Sequence, residues 1–175
     1  MTGYLIIGNG VAGTTAAENI RKLDKTGKIT VVTEESTPFY YRMRLPDFVS
    51  GDLTEDKLNA KKEAWYKDQG IDLTLNTRIR GANPGKRAVT THSNQEIPYD
   101  RLLVATGSRS FIPPMKGADK KGVFALRTIQ DARNIVAWSK NIQKVVLIGG
   151  GLLGLEAGNA LRNLGKKLTV VEFFP

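Results

Sequence analysis

Residues 8–13 read GNGVAG and residues 149–154 read GGGLLG, so the chain carries the same glycine spacing twice. Each copy follows a short apolar run, YLII or KVVLI, and precedes a segment with apolar residues at helical spacing. Beyond each helical segment lies a β-branched run, KITVV or KLTVV, which is followed by an acidic residue within two positions. The pattern predicts two βαβ units that bind dinucleotides.

The three glycines of such a loop have separate roles. The first turns the chain off the strand, the second leaves room for a pyrophosphate against the backbone, and the third lets the helix and strand pack closely. These positions are Gly8, Gly10 and Gly13 in the first copy and Gly149, Gly151 and Gly154 in the second. The N-terminus of the helix then presents N–H groups and its positive dipole end to the phosphates.

A carboxylate after the second strand accepts hydrogen bonds from the adenosine ribose and repels a 2′-phosphate. In the second copy this residue is Glu172, which predicts NADH rather than NADPH. In the first copy Glu34 lies one position later than a strict alignment of the copies requires, so Glu35 is the alternative.

Composition narrows the class of protein. A chain of 175 residues with net charge +9 and no cysteine excludes dithiol, thiolate, iron–sulfur and cysteine-bound zinc chemistry, and favours polyanionic ligands or acidic partners. Basic residues are interspersed with acidic ones, so nucleic acid is not expected as a partner. No apolar run reaches the roughly 18 residues of a membrane span, and no secretory leader is visible, so we expect a cytoplasmic protein without a membrane segment. The single histidine, His92, has no clustered ligands, and no metal site is expected.

Between the repeats, residues 34–54 predict a loop with a short helical piece, and residues 55–69 predict one surface helix that ends at Gly70. Short strands, some of them antiparallel, are expected after it. A stretch rich in glycine and proline, residues 107–122, indicates a boundary, and Thr128 is expected to cap a helix.

Four segments together resemble the N-terminal part of the FAD-dependent pyridine nucleotide–disulfide oxidoreductase superfamily. They are GNGVAG, TPFYYRMRLPDFVSGDL, YDRLLVATGSRSFIPP, and GGGLLGLE with LTVVE. Within it the chain is most similar to the NADH-dependent rubredoxin and ferredoxin reductases and to the flavin-binding head of the assimilatory nitrite reductase large subunit.

The resemblance implies an α/β fold: a Rossmann-like three-layer parallel sheet, a small antiparallel β element, and the start of a second dinucleotide-binding domain. Residues 1–115 would form an incomplete FAD-binding domain and residues 116–175 the beginning of an inserted NAD-binding domain. Because the family continues beyond these segments, the sequence is expected to be a truncated piece of a longer enzyme. As such a piece, it is expected either to associate, through exposed strand edges or by exchanging its C-terminal unit with a second copy, or to have a tail after about residue 140 that is more mobile than the first domain.

The implied cofactor is FAD and the implied hydride donor is NADH. For FAD the expected contacts are Gly8, Gly10, Val11, Ala12, Gly13, Glu34, Glu35, Arg42, Ala105, Thr106 and Gly107. For NADH they are Gly149, Gly151, Leu152, Leu153, Gly154, Glu156 and Glu172, with Glu156 reaching the nicotinamide amide. One departure is Asp47, which stands where several relatives carry a lysine near the flavin.

The implied reaction passes a hydride from NADH to FAD, and then electrons to an acidic carrier protein or a downstream redox centre. We nominate no catalytic side chain, because the flavin supplies this chemistry. The disulfide-reducing branch is excluded for this segment, since its cysteines would stand in the loop that here reads FYYRMRLPDFV. The alternative function is a nucleotide-binding module that turns over nothing.

Overall fold

The computed structural model describes residues 1–172, which fall into two compact units. The first unit comprises Met1–Tyr41 and Asn59–Ser108, and the second comprises Arg42–Leu58 together with the chain from residue 109 onward. The sequence-based boundary between residues 115 and 116 refers to cofactor-binding domains and stays a prediction. The compact units themselves divide at residue 108, and the second takes in residues 42–58 as well.

The regular elements follow one another along the described residues. In chain order they are β1 (Gly3–Ile7), α1 (Val11–Leu23), β2 (Lys28–Val32), a 3₁₀ turn (Arg42–Arg44), α2 (Leu45–Ser50), α3 (Glu55–Leu58), α4 (Glu63–Asp68), β3 (Ile71–Thr74), β4 (Ile79–Asn83), β5 (Ala88–Thr91), β6 (Glu96–Pro98), β7 (Arg101–Val104), α5 (Ile129–Ser139), β8 (Lys144–Ile148), α6 (Leu152–Asn163) and β9 (Lys167–Val171).

The first unit has three layers, as the sequence predicted. Its parallel sheet has the order β3-β2-β1-β7, and a separate antiparallel sheet has the order β4-β5-β6. Successive side chains of β1 point to opposite faces: Ile6 packs in a buried cluster with Ala17 of α1 and Tyr66 of α4, whereas Leu5 packs with Val89 of the antiparallel sheet. Helices therefore cover one face of the parallel sheet, and the antiparallel sheet covers the other.

The prediction of a single surface helix over residues 55–69 is wrong. The structure has two short helices there, α3 and α4, and both Leu58 and Tyr66 are 1% exposed. Between the helices, the backbone N–H groups of Ala60 and Lys61 donate to the carbonyl oxygen of Phe39 at 2.9 and 3.1 Å. These amides are therefore not available for the i→i−4 ladder of one continuous helix. Gly70, at φ +60°, follows the end of α4.

The second unit holds a parallel pair of strands, β8 and β9, joined by α6. Helix α6 covers the face that carries Leu147 and Leu168, because a Cβ on Gly158 of α6 would lie 3.3 and 2.9 Å from their methyl groups. On the opposite face Val146 and Ile148 are 62% and 61% exposed. Within the described residues this sheet is thus covered on one face only.

Two other sequence-based predictions are confirmed after β7. Residues 105–128 contain no helix or strand, in agreement with the breaker-rich connection expected there. Helix α5 starts at a capping box in which the Thr128 hydroxyl accepts the N–H of Asp131 at 3.2 Å, and the Asp131 carboxylate accepts the N–H of Thr128 at 2.7 Å.

No helix within residues 1–172 is both long and apolar enough to cross a membrane.

Candidate functional site

The first glycine loop leaves β1 through a conformation that favours glycine. Gly8 has φ +109°, and a Cβ on it would lie 2.1 Å from the carbonyl oxygen of Ala105. Its N–H donates to the carbonyl of Val32 at 2.8 Å, which fixes the turn to the end of β2. Both the backbone angle and the close neighbour therefore require glycine at this position.

The next two glycines differ sharply in their surroundings. A Cβ on Gly10 would meet no atom within 4 Å, whereas a Cβ on Gly13 would lie 1.9 Å from the carbonyl oxygen of Gly8. Gly10 is also the N-cap of α1, with no side-chain cap and no acidic residue in the first turn, where Val11 and Ala12 are exposed. Open space thus faces uncapped N–H groups at the positive end of α1, which is the arrangement that a pyrophosphate requires.

The second glycine loop repeats this geometry. Gly149 has φ +99°, and its N–H donates to the carbonyl of Val171 at 2.8 Å. A Cβ on Gly151 would meet no atom within 4 Å, whereas a Cβ on Gly154 would lie 2.8 Å from the carbonyl oxygen of Gly149. Leu152 and Leu153 open α6 and are each 74% exposed. This loop also fits a pyrophosphate.

Strand pairing fixes the equivalent positions after the second strand. Ile7 pairs with Val32 in the first unit, and Ile148 pairs with Val171 in the second. The next residue is Glu172 in the second copy but Thr33 in the first, so Glu34 lies one position beyond the equivalent of Glu172, as the sequence indicated. The Glu172 carboxylate accepts the backbone N–H of Gly150 at 2.5 Å, which places it beside the second loop.

The two acids of the first copy have different environments. Glu34 is exposed, and its carboxylate lies 3.6 Å from Nε of Arg78. Glu35 is half-buried, and its carboxylate accepts the hydroxyl of the buried Tyr40 at 2.5 Å. A fixed carboxylate binds a ligand with less loss of side-chain freedom than a mobile one, so Glu35 is better prepared to hold a ribose.

The segment that reads ATGS runs beside the first glycine loop. The N–H of Ala105 donates to the carbonyl of Ile7 at 2.8 Å, and Gly107 has φ +69°. A Cβ on Gly8 would lie 3.1 Å from the backbone nitrogen of Thr106. The structure therefore brings Ala105 and Thr106 to the first loop, while their contacts with a cofactor stay a prediction.

Other predicted residues lie in the second unit. Arg42 begins the 3₁₀ turn and donates from Nη1 to the carbonyl of Arg127 at 3.0 Å. Asp47 pairs with Arg44 at 3.0 Å, and Glu156 is exposed on α6. The roles expected of these residues toward FAD or NADH remain predictions. Among residues 1–172 no three His, Cys, Asp or Glu side chains cluster in a way that could hold a metal ion, and His92 is exposed.

Sequence reasoning missed a buried polar cluster beneath the first loop. The Asn9 side-chain oxygen accepts the Tyr66 hydroxyl at 2.9 Å and the Thr14 hydroxyl at 3.1 Å. Asn9 and Thr14 are 9% and 2% exposed, and burial raises the pKa of the Tyr66 hydroxyl, which keeps it protonated as a donor. One signal was available: an asparagine stands at position 9, where the second copy has Gly150.

Comparison with known proteins gives one family for nearly the whole chain. The family model described as pyridine nucleotide-disulphide oxidoreductase matches residues 2–175. An NAD(P)H nitrite reductase of Bacillus subtilis (strain 168) is 39% identical over 172 residues, which cover 98% of this chain and 21% of the relative. A rubredoxin-NAD(+) reductase of Pseudomonas putida is 32% identical, covering 98% of this chain and 45% of the relative.

Solved structures agree with these matches. The crystal structure of NADH:rubredoxin oxidoreductase from Clostridium acetobutylicum superposes with a TM-score of 0.89 at 32% identity, covering 98% of this chain and 44% of that one. The superfamily and the fold class expected from the sequence are thereby confirmed. The expected cofactors, FAD and NADH, are those of the family. The chain spans about a fifth of the length of the nitrite reductase and less than half of the rubredoxin reductases.

Proposed function

Because the chain belongs to the pyridine nucleotide-disulphide oxidoreductase family, we propose that it forms the dinucleotide-binding part of an NADH-dependent flavoprotein. FAD would bind at residues 8–13 and NADH at residues 149–154. One observation carries the proposal: both loops combine a first glycine at positive φ, open space at the second glycine and tight packing at the third. A second strand and an acidic residue then follow in each copy.

In the first site the chain supplies contacts for the ADP part of FAD. The uncapped N–H groups at the start of α1 would bind the pyrophosphate in the space before Gly10. Glu35, held by Tyr40, would accept the hydroxyls of the adenosine ribose. When bound, FAD would supply the redox chemistry, accepting a hydride and releasing electrons one at a time.

In the second site the chain distinguishes NADH from NADPH. Glu172 is fixed by the N–H of Gly150 and would accept the two adenosine ribose hydroxyls. A 2′-phosphate would place additional negative charge beside this carboxylate, and that repulsion disfavours NADPH. Glu156, exposed on the helix that follows, would contact the nicotinamide amide.

The acceptor of the electrons is proposed to be an acidic carrier protein or a downstream redox centre. The net charge of +9 supports an acidic partner, since opposite charge accelerates encounter. The name of the similar rubredoxin-NAD(+) reductase agrees with a small protein carrier.

A second candidate function is nucleotide binding without turnover. It is supported by the two glycine loops, whose open space at Gly10 and Gly151 suits binding of a pyrophosphate whether or not a reaction follows. It shares the glycine loops with the first candidate but requires no hydride transfer. Flavin reduction therefore distinguishes the two.

The test uses the whole chain. FAD is titrated with the protein by equilibrium dialysis, and the loaded protein is mixed with NADH or NADPH without oxygen while flavin absorbance is followed. Binding of FAD with faster bleaching by NADH supports the oxidoreductase. Binding without bleaching supports the nucleotide-binding module, and no binding of either dinucleotide contradicts both.

A further inference from the structure

The buried cluster beneath the first glycine loop joins three elements. Asn9 belongs to the loop, Thr14 to the first half of α1 and Tyr66 to α4, and both hydroxyls meet the same amide oxygen of Asn9. The other polar atom of this side chain, the amide nitrogen Nδ2, is buried and has no hydrogen-bond partner among the described residues.

An unmatched buried amide destabilises a folded protein. The second copy avoids this at the equivalent position, where Gly150 carries no side chain and its N–H donates to Glu172. Asn9 therefore satisfies the buried hydroxyls of Tyr66 and Thr14 while its own amide nitrogen stays unmatched. Residues with this property concentrate at functional sites.

The loop itself explains what such an anchor would do. Gly8 and Gly10 flank Asn9, and glycine backbones lose more conformational freedom on ordering than any other residue. A loop that is ordered before the ligand arrives avoids that loss at the moment of binding. In the first copy an uncharged residue, Thr33, occupies the position from which Glu172 accepts the loop N–H in the second copy.

We propose that Asn9 is a positioning residue for FAD, which holds the first glycine loop in its binding conformation through the buried hydroxyls of Tyr66 and Thr14. The inference rests on the proposed function of the first site. It adds that the two glycine loops are ordered by different means: a buried side chain in the first, and the ribose-binding acid in the second.

The test separates positioning from stability with the double variant Asn9→Ala/Tyr66→Phe. Removing Asn9 and Tyr66 together avoids leaving either of these two groups buried without the other, although the Thr14 hydroxyl loses its acceptor, so the urea midpoint of the double variant should fall only slightly. Its affinity for FAD should nevertheless fall about tenfold, the equivalent of one hydrogen bond. Without ligand, amide hydrogen exchange of residues 8–13 should be faster, while exchange in β1 and β2 stays unchanged.

Tyr4→Phe is the matched control. Its hydroxyl donates to Asp24 at 3.1 Å at the far end of α1, so removing it should alter neither FAD affinity nor exchange in the loop. Tyr66→Phe alone provides a milder variant should the double variant fold poorly. If the unaltered chain does not bind FAD but the double variant still shows faster amide exchange in residues 8–13, Asn9 orders the loop and the proposed function is contradicted. Unchanged exchange and unchanged FAD affinity in a folded double variant would overturn the inference.

Discussion

The backbone N–H of Gly150 donates to the carboxylate of Glu172 at 2.5 Å, so the residue after β9 holds the loop after β8. A charged acceptor makes this a strong hydrogen bond. The acid would thus have two tasks in the proposed site, since it contacts the loop and would also accept the ribose hydroxyls.

Glu172→Gln should narrow the preference for NADH over NADPH. The glutamine carbonyl still accepts the Gly150 N–H, but the charge that repels a 2′-phosphate is lost. We expect the ratio of the NADPH and NADH dissociation constants to fall roughly tenfold, measured by calorimetric titration. Glu96→Gln, an exposed acid on β6, is the control. An unchanged ratio in the Glu172 variant would remove this residue from the site.

Valine in place of the middle glycine of each loop should abolish the binding of one dinucleotide without disturbing the fold. Gly10 and Gly151 have extended backbone angles that valine adopts, and their Cβ positions are open. The Gly10→Val variant should fail to bind FAD but still bind NADH, and the Gly151→Val variant should fail to bind NADH but still bind FAD. Equilibrium dialysis measures both. Gly13→Val should instead destabilise the first unit by about 3 kcal/mol or more, because its Cβ meets the Gly8 carbonyl. Loss of FAD from the Gly151 variant would show that the two sites are assigned in the wrong order.

The two acids after β2 should contribute unequally to FAD binding. Glu35→Gln should lower the affinity for FAD about tenfold, which is the effect of losing one charged hydrogen bond. The reason is that Tyr40 holds this carboxylate in place. Glu34→Gln should change this affinity less than about twofold, since an exposed ion pair contributes little. Quenching of flavin fluorescence measures both. The reverse order would assign the ribose to Glu34.

The capping box of α5 gives a prediction about stability. Thr128→Ala should lower the free energy of unfolding of the second unit by about 1 kcal/mol, because the N–H of Asp131 loses its acceptor. In a Trp65→Phe background, the fluorescence of Trp138 on α5 reports urea unfolding of this helix. The exposed Gln130→Ala is the matched control, with an expected change below about 0.5 kcal/mol. Equal effects of both substitutions would contradict the role of the cap.

The exposed face of the β8–β9 sheet should promote self-association of the isolated chain. Val146 and Ile148 are both more than half exposed there, and parallel sheets are normally covered on both faces. We expect light scattering to show a concentration-dependent increase in mass, which Val146→Lys should reduce. Leu23→Lys, a 90% exposed residue at the end of α1, is the control. A concentration-independent monomer would argue against the association.

Much of the fold could be predicted because local patterns carry it. The glycine loops, the strands before them and the Thr128 cap each depend on residues close together in sequence. The break between α3 and α4 could not be predicted, since it depends on the carbonyl of Phe39, some twenty residues away, which binds the amides of Ala60 and Lys61. Amphipathic spacing identified Tyr66 as an apolar helix position but not as a hydrogen-bond donor.

The candidate site shows the same division. Spacing alone was enough to nominate the glycines and Glu172, whereas the proposal that Glu35 rather than Glu34 holds the ribose depends on the contact of Glu35 with Tyr40. The asparagine at position 9 was only a weak signal, because an asparagine between two glycines is also a common turn residue. Its role becomes visible only once Tyr66 is brought to it from 57 residues away.

The segment Arg42–Leu58 packs with residues beyond 108, although both of its ends continue into the first unit. The polypeptide consequently passes from one unit to the other three times, and no single cut can yield both units whole. During synthesis the first unit can close only after residue 104 has left the ribosome, when β7 joins β1. By then α2 has been made, but α5 and α6, which it packs against in the folded protein, have not. A nascent chain that ends between these points therefore holds α2 without those two helices, and incompletely packed stages of this kind are prone to associate.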